Sequence, residues 1–242
     1  MATRPTLSTS SLPAVSEPEA SATASPARGK EMRTNLLSKL RPPPLVHAWD
    51  FWHDRQDRKK DGTPTAPVES ETPYEDRLVH MCTITDVREF WELFNNFDIA
   101  TLPLRDSVHL FHKGVKPVWE DPRNVRGGSW TFRVPKDKAK DFWKEICMMA
   151  IGEQLQEAVS SKRIKFLDDI CGISLSVRFT STLITIWNRD ADHAAGIAKI
   201  LEVVLHQLPQ ELVPKESAYY YKRHSEHSGF KAPAAEVKPE GE

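Results

Sequence analysis

The chain has 242 residues, of which 39% are hydrophobic and 28% are charged, and its formal net charge at pH 7 is −1. This length predicts one folded domain with tails, or at most two small domains. The near-zero charge argues against a protein that binds DNA regardless of sequence, since such proteins are usually strongly basic, but it allows one local pocket for a nucleic-acid feature.

Two terminal tails and one internal loop are predicted from composition. Residues 1–40 are rich in Ser, Thr, Ala, Pro and Glu and contain no aromatic side chain. Such a segment buries too little apolar surface to offset the entropy lost on ordering, so we predict a disordered N-terminal tail. Residues 228–242 predict a flexible C-terminal tail, and Arg55 to Pro73 predict a long loop inside the domain. The folded domain is therefore expected at residues 41–227.

Three strands and one helix are predicted in the first half of this domain. The aromatic stretch 45–54 predicts the first strand. In the stretch TDVREFWELFNNF, Thr85 or Asp86 is a candidate N-cap, and the apolar residues that follow have helical spacing. The stretches HLFHKG and SWTFRVP predict strands that end at Gly and Pro.

Two helices and three further strands are predicted in the second half. Residues 136–155 and 190–208 have the apolar stripes of amphipathic helices. The stretch GISLSVRF alternates apolar and polar residues, which predicts a half-buried strand with Phe179 on the buried side and Arg178 on the polar side. The stretch LITIWN follows after a short turn and completes a hairpin. SAYYYKRH predicts a last strand.

These elements predict the fold class. The strands are connected as hairpins, and no strand-to-helix turn carries a Gly-rich phosphate loop. We therefore expect an α+β domain, with a curved antiparallel sheet of about eight strands and three helices packed on its convex face. The other face of the sheet is then free to be polar and to bind a ligand.

The cysteine and histidine patterns predict no metal site. Cys82, Cys147 and Cys171 are widely spaced, with no CxxC pair, and the nine histidines lack metal spacing. Buried free thiols indicate a reducing compartment. There is no signal-peptide core and no apolar run of membrane length, so the sequence predicts a soluble, cytoplasmic protein without a cofactor.

The stretch KPVWEDPRNVRGGSW carries the strongest chemical signal. It places Glu120 directly after Trp119, with Arg123 and Arg126 close behind. A cationic aromatic base between two rings gains about 1–3 kcal/mol per stacked face. A carboxylate can accept two N–H bonds from the edge of guanine, and arginines can hold phosphates. The pattern therefore suits a charged purine nucleotide such as N7-methylguanosine.

Six blocks in the same order resemble the translation initiation factor 4E family of messenger-RNA cap-binding proteins. They are HLFHKGVKP, VWEDPRNVRGGSW, EFWELFN, FWKEICMMAIGEQL, DDICGISLSVRF and ITIWN. The resemblance implies a non-enzymatic protein that binds capped mRNA and is monomeric apart from its partners. Those partners are initiation factor 4G-like or 4E-binding proteins with a Tyr-x4-Leu-hydrophobic motif. Promotion and repression of translation are both compatible with it.

The resemblance implies which residues hold the base. Trp119 forms one face of the aromatic sandwich, Glu120 bonds the guanine edge, and Trp187 closes over the N7-methyl group. The other face lies 17 positions before Trp91, which is Tyr74. The main initiation factor carries tryptophan there, whereas the branch called the 4E-homologous protein carries tyrosine. The chain therefore resembles that second branch most.

The phosphate side departs from the family pattern. The phosphate arginine of the family falls on Arg178. Thr180 and Leu183 stand where the main factor has lysines, and Ser129 replaces a common basic residue. An arginine occurs at Arg133 in the homologous-protein branch, so we expect Arg133 to compensate in part.

The resemblance also implies a docking face on the helices. Its predicted partner-binding residues are Pro44, Leu45, Val87, Trp91, Glu145 and Met148. Lys144 replaces a leucine of the main factor, so partner choice is expected to differ. The segment from Gln156 to Phe166 is longer than in other members and receives no function.

Two alternatives belong to other classes. A protein-interaction scaffold that has lost cap binding is disfavoured because the aromatic, acidic and arginine positions are retained. A cap-modifying enzyme would need carboxylates that hold a metal, a histidine for covalent catalysis, or a Gly-rich cofactor turn. The sequence has no such pattern.

Overall fold

The computed structural model describes residues 29–31, 42–56, 74–159 and 169–231. Most of the predicted N-terminal tail and of the loop before Pro73 lies outside these residues, as does the C-terminal tail beyond 231. The extra segment before Phe166 is described only as far as residue 159. The chain divides into two compact units, Met1–Pro42 and Pro43–Glu242. All strands in the described residues belong to the second unit.

The strands form one antiparallel sheet. They are β1 (Pro44–Asp54), β2 (Leu78–Asp86), β3 (Ser107–His112), β4 (Gly128–Val134), β5 (Ile170–Val177), β6 (Thr182–Asn188) and β7 (Tyr219–Arg223). Their order across the sheet is β2-β1-β3-β5-β6-β4-β7, and every neighbouring pair is antiparallel. The predicted α+β class is confirmed, with seven strands in the described residues rather than about eight.

Three of the helices match the predicted ones. In the described residues of the second unit the α-helices are α1 (Tyr74–Arg77), α2 (Val87–Asn96), α3 (Ala139–Ile151), α4 (Gln154–Val159) and α5 (Ala194–Gln207). Asp86 is the N-cap of α2, because its Oδ1 accepts the backbone N–H of Glu89 at 2.8 Å. The Glu89 carboxylate accepts in return from the backbone N–H and the hydroxyl of Thr85. Reciprocal bonds of this kind fix where the helix begins.

The core lies between one face of the sheet and the longer helices. Strand residues on this helix-covered face are at most 2% exposed: Val108, Leu110, Ile173, Leu175, Ile184 and Ile186. They pack in one cluster with buried residues of α2, α3 and α5. Because side chains alternate along a strand, the intervening residues point to the opposite, open face. That face carries the groove described below.

Two features differ from the sequence predictions. The strand β2 is absent from the sequence predictions. It is an edge strand whose outward residues include the apolar Val79 and Met81, which are 44% and 48% exposed. The alternation of apolar and polar side chains that identifies a strand is therefore missing. Phe179 was predicted to be buried but is 81% exposed. The strand β5 ends at Val177, and the Arg178 N–H donates to the Ser181 carbonyl at 2.9 Å. Phe179 therefore sits in the hairpin turn. No helix in the described ranges is long and apolar enough to cross a membrane.

Candidate functional site

A groove of about 1110 Å³ lies on the open face of the sheet. Its walls come from α1, from the loop between β3 and β4, and from the residues after β7. Its floor carries the polar side chains of β3 to β6, namely Ser107, His109, Thr131, Ser174, Ser176 and Thr185. Hydroxyl and imidazole groups on an enclosed floor suit a ligand with polar edges.

Trp119 and Glu120 lie on a loop that its own hydrogen bonds hold in place. Asn124 is fully buried, and its Nδ2 donates to two backbone carbonyls of the loop at 2.9 and 2.7 Å. The Asp121 carboxylate accepts two backbone N–H groups of the same loop at 3.0 and 2.9 Å. Because these bonds fix the loop backbone, the indole and the carboxylate are positioned in the groove without a ligand.

Tyr74 is tied to the same loop from the other side. Its hydroxyl donates to the Pro117 carbonyl at 3.2 Å and lies 3.4 Å from Nε2 of His109. Nδ1 of His109 lies 2.7 Å from the hydroxyl of Ser174. One proton arrangement satisfies all four groups: Ser174 donates to Nδ1, Nε2–H donates to Tyr74, and Tyr74 donates to Pro117. The network links α1 to the backbone two residues before Trp119.

That network requires a neutral His109. Burial and, to a smaller extent, the neighbouring His53 together lower the pKa of His109 to about 3. The imidazole therefore stays neutral through the physiological pH range. A second buried histidine behaves alike: burial lowers the pKa of His224 to about 4, although its Nδ1 lies 2.7 Å from the Asn124 carbonyl, a bond that raises the pKa.

These two histidines predict acid destabilisation. In the unfolded chain both have a pKa near 6.5, so below that pH the unfolded state binds more protons than the folded state. The free energy of unfolding is therefore at its full value above about pH 6.5. Below that pH it falls by up to about 1.4 kcal/mol per pH unit for each group. We expect urea unfolding to give a free energy of unfolding on the order of 4 kcal/mol lower at pH 5 than at pH 7.

The matched variant is His109→Gln, which removes one titrating group. Its free energy of unfolding is expected to fall by only about half as much over the same pH range. Equal pH slopes for the variant and the wild type would show that His109 is not buried in the neutral form.

Two arginines lie near each other in the lining of the groove. Arg178 and Arg105 both line it, and the Arg105 N–H donates to the Val177 carbonyl at 2.9 Å, beside Arg178 in the chain. Arg105 has a φ of 71°, so its backbone adopts the left-handed conformation that is uncommon for residues other than glycine. Arg133 does not line the groove. It is exposed on β4, with its guanidinium carbon 5.7 Å from the ring centre of Tyr220, which does line it.

Trp187 forms part of the groove wall and is mostly buried, at 8% exposure. Its ring packs against those of Phe111 and His224, with ring centroids 5.3 and 4.5 Å away. Its indole N–H donates to the hydroxyl of Thr185 at 3.0 Å. The ring orientation is therefore set by the fold. The groove thus brings together five of the six predicted cap-binding residues: Tyr74, Trp119, Glu120, Arg178 and Trp187.

The predicted partner-binding residues lie away from this groove. They are Pro44, Leu45, Val87, Trp91, Glu145 and Met148, and none of them lines it. Leu45, Trp91 and Met148 are half-buried and pack against the core on the helix-covered face. The Val87 N–H donates to the Pro43 carbonyl at 3.1 Å, which joins the start of α2 to the start of β1.

The residues that follow β7 were not predicted to enter the groove. The ring of His227 stacks on Trp119, with centroids 4.4 Å apart and planes 13° from parallel. The backbone N–H of Lys231 donates to Oε1 of Glu120 at 3.0 Å. Composition predicted a flexible tail from residue 228, and no periodicity marks the stretch SGFK. Arg105 was also missed, because it belongs to a turn and not to a motif.

The family model described as eukaryotic initiation factor 4E matches residues 44–238. The eukaryotic translation initiation factor NCBP of Oryza sativa subsp. japonica is 31% identical over 186 residues, which cover 76% of this chain and 71% of that protein. The chain spans 63% and 62% of the proteins of the same name from Triticum aestivum and Arabidopsis thaliana.

Solved structures with a similar fold include two nematode complexes. The complex of C. elegans eIF4E-3 with the 4E-binding protein Mextli and a cap analogue has a TM-score of 0.63 and 27% identity, over 76% of this chain and 94% of that one. The complex of Ascaris suum eIF4E-3 with m7G cap has a TM-score of 0.63 and 26% identity, over 78% and 94%.

Proposed function

This chain belongs to the eukaryotic initiation factor 4E family, and from that premise we propose that it binds the 7-methylguanosine cap of mRNA in the groove on the open face. The observation that carries the proposal is the convergence of two aromatic rings, a carboxylate and an arginine on that one groove: Tyr74, Trp119, Glu120 and Arg178. The protein is a binding factor and not an enzyme. We assign the domain to residues 41–227.

Base recognition combines stacking with charge. The methylated base carries a positive charge, so rings on either side attract it by stacking and by cation–π interaction, about 1–3 kcal/mol per base. Glu120 accepts N–H bonds from the guanine edge, and the positive charge on the base makes those donors stronger. The carboxylate already accepts one backbone N–H in the groove, which supports its role as an acceptor there.

The phosphates are expected to lie toward Arg178 and Arg105. Both arginines line the groove, and the charge of Arg105 lowers the pKa of Arg178, so the two guanidinium groups lie near each other. An arginine offers several N–H donors in a planar fork that matches phosphate oxygens. Leu183 and Ser129 also line the groove, so the basic residues of the main factor are absent there. Arg133 would reach the ligand only past Tyr220. We therefore expect phosphate contacts to contribute less than base contacts.

We assign partner binding to the opposite face. Its residues are Pro44, Leu45, Val87, Trp91, Glu145 and Met148, and the proposed partners are initiation factor 4G-like or 4E-binding proteins with a Tyr-x4-Leu-hydrophobic motif. Support comes from the complex of the C. elegans relative with the 4E-binding protein Mextli. Such a protein acts in the cytoplasm as a monomer apart from its partners, and either promotes or represses translation according to the partner.

Calorimetric titration with 7-methyl-GTP and with GTP tests cap binding. We expect the wild type to prefer the methylated nucleotide. Tyr74→Ala should weaken its binding by about 1–3 kcal/mol, because one stacking face is lost. Tyr74→Phe is the matched control: it keeps the ring and removes only the hydroxyl that bonds Pro117, so it should lose less. Equal affinity of the wild type for both nucleotides would contradict the proposal.

A further inference from the structure

We call residues His227–Lys231 the C-terminal segment. The residues directly before it are buried beside the groove and fix where the segment begins. The segment follows a short 3-10 turn, His224–Glu226, that comes directly after β7. His224 is fully buried, its N–H donates to the Gly127 carbonyl at 3.0 Å, and its ring packs on Trp187 at 4.5 Å. The segment therefore leaves a fixed point beside the groove.

The segment contacts both groups that would hold a base. His227 stacks on Trp119 at 4.4 Å between centroids. A Cβ added to Gly229 would lie 3.3 Å from Cζ3 of Trp119, so the backbone also lies against the indole. The Lys231 N–H donates to Glu120, a partner 111 positions away in the sequence.

These contacts resemble the two interactions expected with the base, which are ring stacking on Trp119 and N–H donation to Glu120. A flat ring covers the indole, and an N–H group donates to the carboxylate beside it. Carbon atoms in contact are about 3.5 Å apart, so a base between two rings needs them roughly 7 Å apart. The observed stack leaves no room for a base between His227 and Trp119.

We propose that the C-terminal segment is an internal competitor of the cap, which closes the base slot in the free protein and must leave before the base can stack on Trp119 and bond Glu120. This inference rests on the proposed cap binding. It adds that the affinity for the cap is set in part by the equilibrium between closed and open segment.

One feature keeps the closed arrangement reversible. Nε2 of His227 is buried and has no hydrogen-bond partner among the described residues. A buried polar atom without a partner opposes closure. Burial also lowers the pKa of His227, and Lys222 lowers it further while Glu226 raises it. Closure therefore favours the neutral ring, whose stack a charged base can replace.

The expected size of the effect follows from the open fraction. The apparent dissociation constant equals the intrinsic one divided by the fraction of protein that is open. If about one molecule in ten is open, freeing the slot strengthens cap binding about tenfold.

The test uses the full chain and two pairs of variants. Lys231→Pro removes the backbone N–H that bonds Glu120, and Lys231→Ala keeps it; both lose the ammonium group, so their ratio isolates the N–H. His227→Ala removes the stacked ring, and His206→Ala, at an exposed position on α5, is its control. Binding of 7-methyl-GTP is measured by calorimetry, and the melting temperature verifies the fold of each variant.

We expect Lys231→Pro to bind several-fold more tightly than Lys231→Ala, and His227→Ala to bind about tenfold more tightly than His206→Ala. Equal affinities within both pairs would overturn the competition and leave cap binding intact. Weaker binding by His227→Ala would show that the ring clamps the ligand and does not compete with it.

Hydrogen exchange at the Lys231 amide separates this inference from the proposed function. The amide should be protected in the free wild type and lose protection at saturating 7-methyl-GTP. If the amide is protected but the protein binds no 7-methyl-GTP at all, both cap binding and competition with the cap are refuted. The hydrogen bond between the Lys231 amide and Glu120 would still be confirmed. A protected amide in the saturated complex would refute competition alone.

Discussion

Replacing Glu120 by glutamine is expected to weaken binding of 7-methyl-GTP by at least about 2 kcal/mol, or roughly thirtyfold. The substitution removes a charged acceptor and presents an N–H donor where the guanine edge also donates. Half-buried in the groove wall, Glu120 supports no core contact, so the melting temperature should hardly change. Calorimetric titration gives the affinity directly.

Two comparisons sharpen this measurement. Glu75→Gln makes the same chemical change at the groove rim, where Glu75 pairs with Lys116 across exposed surface, and it should bind as the wild type does. Repeating Glu120→Gln in the Lys231→Pro background removes the competing N–H from both proteins. If the double variant bound 7-methyl-GTP as tightly as Lys231→Pro alone, the assignment of Glu120 would be refuted.

Replacing Trp91 by alanine is expected to weaken binding of a peptide with the Tyr-x4-Leu-hydrophobic motif by about 2 kcal/mol or more. Trp91 is half-buried on α2, with its ring 5.2 Å from Phe90 and 5.8 Å from Phe94. A tryptophan that shows one face to solvent on an apolar base is typical of interface hot spots. Since part of the ring packs on the core, we also expect a stability loss of about 1 kcal/mol.

Cap binding should survive in this variant, because the groove lies on the other face of the sheet. Trp52→Ala is the matched control, because Trp52 is also half-buried. It lies on β1 between Phe51 and His53, whose rings both pack on Phe97 beside the core, and so it points away from the helices. Peptide affinity, 7-methyl-GTP affinity and melting temperature are measured on both. Joint loss of all three in Trp91→Ala would identify Trp91 as a core residue.

The parts of the fold with a local signal were predictable from sequence. Asp86 and Glu89 form the reciprocal cap at the start of α2, and the alternation of β5 gives its two faces correctly as far as Val177. In β2 the outward side chains are themselves apolar, which removes the contrast between faces that identifies a strand.

The groove was predictable only where a motif marked it. Trp119 and Glu120 are adjacent in the chain, so the sequence alone indicates a stacking ring beside a carboxylate acceptor. The placement of His227 on Trp119 depends on β7 pairing with β4 and on the burial of His224, which are long-range contacts. A stretch without periodicity cannot indicate where such contacts will hold it.

The bond from Tyr74 to the Pro117 carbonyl also determines what thickness of ligand the site accepts. The ring of Tyr74 is joined to the loop that carries Trp119, so their separation belongs to the folded chain and does not adapt to each ligand. Two rings held at a fixed separation favour a planar base over a puckered sugar or a group bonded out of the ring plane, because those are thicker. The bond between Tyr74 and Pro117 joins two uncharged groups, so its contribution to this limit on thickness should change little with salt.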